Sequence, residues 1–341
     1  MRMSYYQPGI TPAAHSGHSI CILIKKELMN RIRILSILIF FSSFVKAEQP
    51  VLRDTSYTVY SAYQKYKKDY PSIKIVRLQD VSDAVQKRTL PYVLYRGRTL
   101  VLDLYTDTSS AELNPGVLLV HGGGWRTGDK SLMAPLAAYL AKKGYVSAAL
   151  EYRLSPEAQY PAAIEDINAA VDWMRQRGPE FGIDTTRIAI LGCSAGAQMA
   201  GLVGLKFGST ARHQKRIHAI INIDGIMDFT SEEARKYEDD PAKETTSAGS
   251  WFGGRYNEKP ELWKDASPVY YVDRNAPPIL FVNSSQPRFH AGRDEVVSRL
   301  DALGIYSEIH TFKDAPHSFW LFDPWFEQTA RWVVQFLNMT F

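Results

Sequence analysis

The stretch Leu191-Gly192-Cys193-Ser194-Ala195-Gly196-Ala197 constrains this chain more than any other. It follows Arg187-Ile188-Ala189-Ile190, a short and mostly apolar run of strand length. Small residues continue after it through Ala200, Gly201 and Gly204, which suits a helix packed closely on its neighbours. Strand, Gly-x-Ser-x-Gly and helix, in that order, is the context of a nucleophile elbow. The glycines let the backbone turn sharply, so that Ser194 projects its hydroxyl above a sheet edge. The helix beginning beneath it offers free N–H groups and the positive end of its dipole to an oxyanion.

Around this turn, strand and helix patterns alternate. Strands are expected at Ile73–Leu78, Thr99–Tyr105, Gly116–Val120, Tyr145–Leu150, Ala219–Ile223, Pro278–Val282 and Ser307–Phe312. Helices are expected near Ala134–Lys143, from Pro161 onward, at Ala291–Leu303 and at Phe326–Leu337. In the helix after Pro161, residues Ala163, Ile167, Ala170 and Met174 share one face. Such alternation argues for a mostly parallel sheet covered by helices on both faces. Residues 226–275 break the rhythm with many acids, Trp251-Phe252-Gly253-Gly254 and a helix-like Pro260–Val272. They read as an excursion over the active-site edge, a lid or substrate wall placed before the last two strands. Residues 48–72, rich in Tyr and Lys, show no period and read as a strap or part of a cap. With no repeat, low-complexity tract or linker, residues 48–341 form one domain.

The N-terminal segment stands apart. Met29-Asn30-Arg31-Ile32-Arg33, the apolar Ile34 to Phe44, and Val45-Lys46-Ala47 have the layout of a secretory signal cleaved before Glu48. The apolar run is too short to span a bilayer comfortably. Residues 1–28 then form an upstream extension, and the protein is expected to be secreted or periplasmic, with no stable membrane insertion after cleavage. Residues 1–47 also carry six of the chain's 40 Lys and Arg but one of its 36 acids, which leaves 34 basic and 35 acidic groups, a net charge of −1. The basic excess belongs to the leader, so charge gives no argument for a nucleic-acid partner. Cys21 leaves with it, and Cys193 remains as a small buried hydrophobe with no disulfide to form.

A serine hydroxyl is a poor nucleophile until a base takes its proton. His317 lies in Asp314-Ala315-Pro316-His317, between the last strand and the last helix, and so leaves the same sheet edge as Ser194. His310 falls inside a strand and His218 at the start of one, which points them to the core or the opposite edge. Gly122, Gly123 and Gly124 follow a strand, and their N–H groups can approach a substrate closely; with the N–H of Ala195 they would form an oxyanion hole. This glycine run lacks the Lys-Ser/Thr of a phosphate loop and the spacing of a dinucleotide site, so no cofactor is implied. His121 is expected to brace the loop.

Taken in order, His121-Gly-Gly-Gly-Trp125, Glu151-Tyr-Arg-Leu-Ser-Pro-Glu157, Tyr160-Pro-Ala-Ala-Ile164, Gly192-Cys-Ser-Ala-Gly196 and Pro316-His317 resemble the α/β-hydrolase esterases. The likeness runs over roughly residues 95–341 and is closest to the hormone-sensitive-lipase-like and bacterial feruloyl/acetyl esterase branch. The resemblance implies the α/β-hydrolase fold, Ser194 as nucleophile, His317 as base, and Gly123, Gly124 and Ala195 as oxyanion donors. It implies a serine carboxylesterase that works through an acyl-enzyme without metal or cofactor. Acetyl or feruloyl esters on polysaccharide are the implied substrates.

The triad acid departs from the pattern. Such esterases usually carry it just after the strand matching Pro278–Val282, but here that loop reads Asn283-Ser284-Ser285-Gln286-Pro287-Arg288, without a carboxylate. Asp224 ends the preceding strand and is favoured. Asp294 is the alternative, although it falls with Ser298 and Asp301 on the polar side of its helix. Asp314 is expected to hydrogen-bond within its loop. His290 and Asp294, one turn apart, lack the third ligand a metal needs. Trp125, Trp251, Phe252, Trp320 and Trp325 would suit an aromatic acyl group or a sugar face, or else pack the lid. The rival readings are a lipase, a peptidase of the same fold, and a catalytically idle binding protein on a hydrolase fold. The acid-rich residues 231–243 speak against a lipase lid, and the chain has no room for the propeller domain of a prolyl-oligopeptidase-type peptidase.

Overall fold

The computed structural model describes residues 54, 56–80, 85–95, 97–107, 112–208 and 215–341. The proposed signal at 29–47 and the extension at 1–28 lie outside the described residues. The elements run α1 (Val59–Tyr66), β1 (Lys74–Ile75), β2 (Val85–Tyr95), β3 (Arg98–Asp107), β4 (Asn114–Val120), α2 (Ala134–Lys142), β5 (Val146–Leu150) and α3 (Ala162–Arg177). They continue with β6 (Ile183–Cys193), α4 (Ala195–Lys206), β7 (Ala219–Ile223), α5 (Glu232–Glu238), α6 (Ser247–Phe252) and α7 (Pro260–Asp265). Last come β8 (Ile279–Asn283), α8 (Arg293–Ala302), β9 (Ser307–Thr311), β10 (Phe322–Asp323) and α9 (Trp325–Thr340).

The main sheet has eight strands in the order β2-β3-β5-β4-β6-β7-β8-β9. From β5 to β9 all neighbours are parallel, while β3 runs antiparallel to both β2 and β5. The parallel strands β5, β7 and β8 are buried at every residue, as expected where helices cover both faces. Two apolar cores result. One holds Ile167, Ala170 and Met174 of α3 with Met199 and Leu202 of α4 and Val296 and Leu300 of α8. The other face packs Leu136 and Leu140 of α2 against Val333, Phe336 and Leu337 of α9.

Two strand expectations need correction. Residues Ile73–Leu78 contribute only β1, which pairs with β10 in a separate two-stranded sheet and not with the main one. The edge strand β2 was not foreseen. Its first half, Gln86-Lys87-Arg88-Thr89, is solvent-exposed, and Pro91 interrupts its run beside a register shift. Proline is tolerated there because an edge strand does not need every N–H in the ladder. The helical stretch expected at Pro260–Val272 divides into α7 and a 3₁₀ turn at Pro268–Tyr271.

Candidate active site

β6 ends at Cys193 and α4 begins at Ala195, so Ser194 occupies the single residue between strand and helix, at φ 56° and ψ −124°. The elbow requires glycine on both sides of it. A Cβ on Gly192 would lie 2.1 Å from the carbonyl oxygen of Gly196, and one on Gly196 would lie 2.2 Å from that of Val120. The turn is pinned by the Ser194 N–H, which donates to the Ile223 carbonyl at 2.8 Å. Cys193 is fully buried, and burial holds its thiol well above the usual range.

His317 follows β9 on the same edge. Its Nε2 lies 2.8 Å from Ser194 Oγ, and its Nδ1 lies 2.9 Å from Asp224 Oδ2. Asp224 directly follows β7, has φ 55° and is fully buried. Its second oxygen accepts the backbone N–H of Ser284 at 2.8 Å. The loop after β8, which lacks a carboxylate of its own, therefore supplies a donor to the carboxylate from β7. Asp294 is placed elsewhere: its side chain is 77% exposed and pairs with Arg293. The geometry joins Ser194, His317 and Asp224 and leaves Asp294 out.

Burial pushes the His317 imidazole below its ordinary value, against the hydrogen bond and charge of Asp224, which pull it up. Phe289 stacks on the ring at 3.6 Å between centroids, and Trp320 meets it edge-on at 5.3 Å. The ring is thus clamped in the plane that points one nitrogen at Ser194 and the other at Asp224.

Gly123, Gly124 and Ala195 line a cleft of about 340 Å³ together with Ser194 and His317. Behind the glycines, His121 is buried, with its Nδ1 2.8 Å from the Gly122 carbonyl and its ring stacked on Tyr152 at 4.3 Å. The hydroxyl of Tyr152 donates to the His121 carbonyl at 2.9 Å. Arg153 forks onto the fully buried Asp166 of α3, with Nη2 2.7 Å from Oδ1. Tyr152 therefore braces the glycine loop, while Arg153 ties the same stretch to α3.

Other candidates lie apart from the cleft. His310 pairs with Glu308 and stacks on Trp332, and His218 Nδ1 accepts the Ile188 N–H at 3.2 Å. His290 Nε2 bonds the Ser284 carbonyl at 2.9 Å while Asp294 is held by Arg293. Among the described residues no group of three or more His, Cys, Asp or Glu could hold a metal ion. The Asp314 carbonyl accepts the Trp325 indole N–H at 3.0 Å. No helix among the described residues is long and apolar enough to cross a membrane.

Most of the aromatic residues considered for substrate contact turn inward. Trp251 and Phe252 are fully buried and pack with Phe229 and Trp263. Trp125 stacks on Trp251 at 5.2 Å and is the one of the five whose residue lines the cleft. From the excursion at 226–275, Ile226, Glu238 and Ser247 reach the cleft. A further part of the lining comes from the segment whose role the sequence left open. Tyr57 and, on α1, Ser61, Ala62, Lys65 and Tyr66 line it. The Tyr57 hydroxyl bonds Ser318 Oγ at 2.8 Å, and Thr127 Oγ1 donates to the Asp54 carbonyl at 2.7 Å, which ties the segment down on both sides. The one local signal for α1 is its capping box, Thr58-x-x-Ser61, with Ser in place of the usual Glu or Gln. Arg288 and Phe289 were also missed as site residues, since nothing local in their loop marks them.

Comparison with known proteins agrees with this architecture. The chain is 29% identical over 184 residues to "Esterase LipC" of Mycobacterium tuberculosis, covering 50% of this chain and 44% of that protein. It is 30% identical over 212 residues to "Esterase LipQ" of the same organism, covering 60% and 49%. The chain thus spans about half the length of the curated relatives it matches. Among solved structures it is similar to "Bacterial Heroin Esterase", with TM-score 0.61 and 22% identity over 85% of this chain and 94% of that one. It is also similar to "Truncated form of carbohydrate esterase from gut microbiota", with TM-score 0.63 and 20% identity over 76% and 98%. These likenesses establish the α/β-hydrolase fold. The BD-FAE family model matches residues 102–299, more than half of the sequence and the stretch that holds the glycine loop, Ser194 and Asp224, and the chain belongs to that family.

Proposed function

We propose that this protein is a serine carboxylesterase that cleaves short-chain acyl or aromatic esters through an acyl-enzyme. The observation that carries the reading is the unbroken relay from Ser194 Oγ to His317 Nε2 at 2.8 Å and from His317 Nδ1 to Asp224 Oδ2 at 2.9 Å. His317 takes the serine proton as Ser194 Oγ attacks the ester carbonyl. Asp224 holds the imidazole in the required tautomer and stabilises the imidazolium that forms. The amides of Gly123, Gly124 and Ala195 receive the oxyanion, where losing one donor typically costs about 3 kcal/mol of transition-state stabilisation. His317 then protonates the leaving alcohol, and water repeats the sequence on the acyl-enzyme.

The cleft volume, about 340 Å³, lies at the small end of the ligand-site range of roughly 300–1,000 Å³ and favours a compact acyl group. Relatives named as esterases and a neighbour named as a carbohydrate esterase support acetyl or feruloyl groups on polysaccharide as substrates. Nucleic acid is not a partner in this reading. The signal-like segment at 29–47 supports export, with the protein secreted or periplasmic.

The test is hydrolysis of p-nitrophenyl acetate and of a feruloyl ester by the full chain beside its Ser194→Ala variant. Activity that vanishes in the variant supports the reading. A folded parent inactive on both esters would overturn it in favour of a binding protein on a hydrolase fold.

A further inference from the structure

The charges lining the cleft do not balance. Three cations face it: Lys65 of α1, Arg126 and Arg288. Arg288 is taken up by the buried Glu238, with Nε 3.0 Å from Oε1. Arg126 is held loosely by Asp54 at 3.6 Å. Asp224, the other carboxylate in the cleft, is occupied by His317 and the Ser284 N–H. Lys65 has no carboxylate within ion-pair distance among the described residues; its Nζ rests 5.0 Å from the centroid of the Tyr66 ring.

We propose that the cleft selects esters that also carry a carboxylate, and that Lys65 is the residue that receives it. The proposal rests on the esterase reading above and names the class of ester. A cation without a counter-charge in a cleft raises the local concentration of anionic substrates and orients them on arrival. Lys65, itself solvent-exposed, lines the same cleft as the glycine loop and Ser194, on a segment fixed by the Tyr57–Ser318 hydrogen bond, so the cleft that receives the ester carbonyl also presents this charge. The charges of Lys65 and Arg288 add to burial in holding the His317 imidazole low. Neutral esters gain nothing from Lys65. α1 precedes residues 102–299, the part matched by the family model.

The test uses two matched pairs of esters on the full chain. Para-acetoxybenzoate and its methyl ester place the carboxylate on the alcohol side; monophenyl terephthalate and its methyl ester place it on the acyl side, at a ring position from which it cannot attack its own phenyl ester. Each kcat/KM is divided by the rate of uncatalysed hydrolysis of the same ester. In at least one pair the anionic member is expected to be favoured about fivefold at low salt, with the preference shrinking as ionic strength rises. The pair that shows it identifies the side on which the charge binds. Lys65→Gln is expected to remove the preference, chiefly through KM, and Lys65→Glu to turn it toward the neutral ester. Lys68→Gln, beyond the end of α1 and outside the cleft, should keep the parent's preference. Hydrolysis of the neutral members with no preference in either pair, or a preference that survives Lys65→Gln, would overturn this proposal alone. Hydrolysis of none of the four esters by the folded chain would overturn it together with the esterase reading.

Discussion

Phe289 lies flat on the imidazole of His317, with ring centroids 3.6 Å apart and planes 9° from parallel. The stack does two things at once. It fixes the ring orientation that serves Ser194 and Asp224, and it shields one face of the half-buried imidazole from water, which adds to the burial that lowers its pKa. Phe289 is itself placed by a turn whose Arg288 is anchored to the buried Glu238.

Phe289→Ala should therefore lower kcat about tenfold by loosening the base, since small losses of alignment are costly at a reacting centre. It should also raise the midpoint of the acid limb of the pH–rate profile, because water regains access to His317. A stability loss of about 3 kcal/mol is expected from emptying a mostly buried aromatic site. Rate profiles and urea unfolding of parent and variant check all three.

The lowered pKa of His317 has a sign that can be measured. Activity needs the neutral imidazole, so the acid limb of kcat/KM should have its midpoint below the ordinary 6.5. For stability, the unfolded chain takes up this proton near 6.5 while the folded chain resists it to lower pH. The contribution is fully present above that value and is lost as pH falls through the folded pKa. Unfolding free energies at neutral and mildly acidic pH should show a smaller decline in His317→Gln than in the parent.

The assignment of the acid separates two carboxylates sharply. Asp224→Asn should cost about 10⁴ in turnover, because the imidazole loses the partner that sets its tautomer. Asp294→Asn should leave turnover within about twofold, as an exposed pair with Arg293 has little to contribute. Steady-state rates on p-nitrophenyl acetate distinguish the two, with circular dichroism confirming the fold of each variant.

Gly192→Ala should destabilise the fold itself. Its Cβ would fall 2.1 Å from a backbone oxygen of α4, and the backbone cannot step aside as a flexible side chain can. A loss of about 3 kcal/mol or more is expected, with a fall in Tm on the order of 10 °C. Thermal unfolding checks it; a variant as stable as the parent would show that the elbow tolerates a wider turn.

What the sequence by itself determined was everything carried by local pattern. Apolar runs at strand length and helical spacing located β3 to β9 and their helices, and glycine flanking Ser194 marked the elbow. The position of His317 after the last strand put it on the Ser194 edge, because loops that follow parallel strands emerge together. The tertiary structure decided the rest. Asp224 and Asp294 were both available in the sequence, and only the placement of β7 beside β8 brings Asp224 within hydrogen-bond reach of His317 Nδ1 and the Ser284 N–H. The aromatic residues at 251 and 252 looked equally fit for substrate or core, and packing against Phe229 and Trp263 settled them in the core. The wall made by α1 was illegible because no local period marks a segment whose neighbours, Thr127 and Ser318, lie 70 and 261 residues away from Tyr57. Local pattern records which residues share a face; it holds no information on contacts closed over such distances, which only the assembled sheet creates.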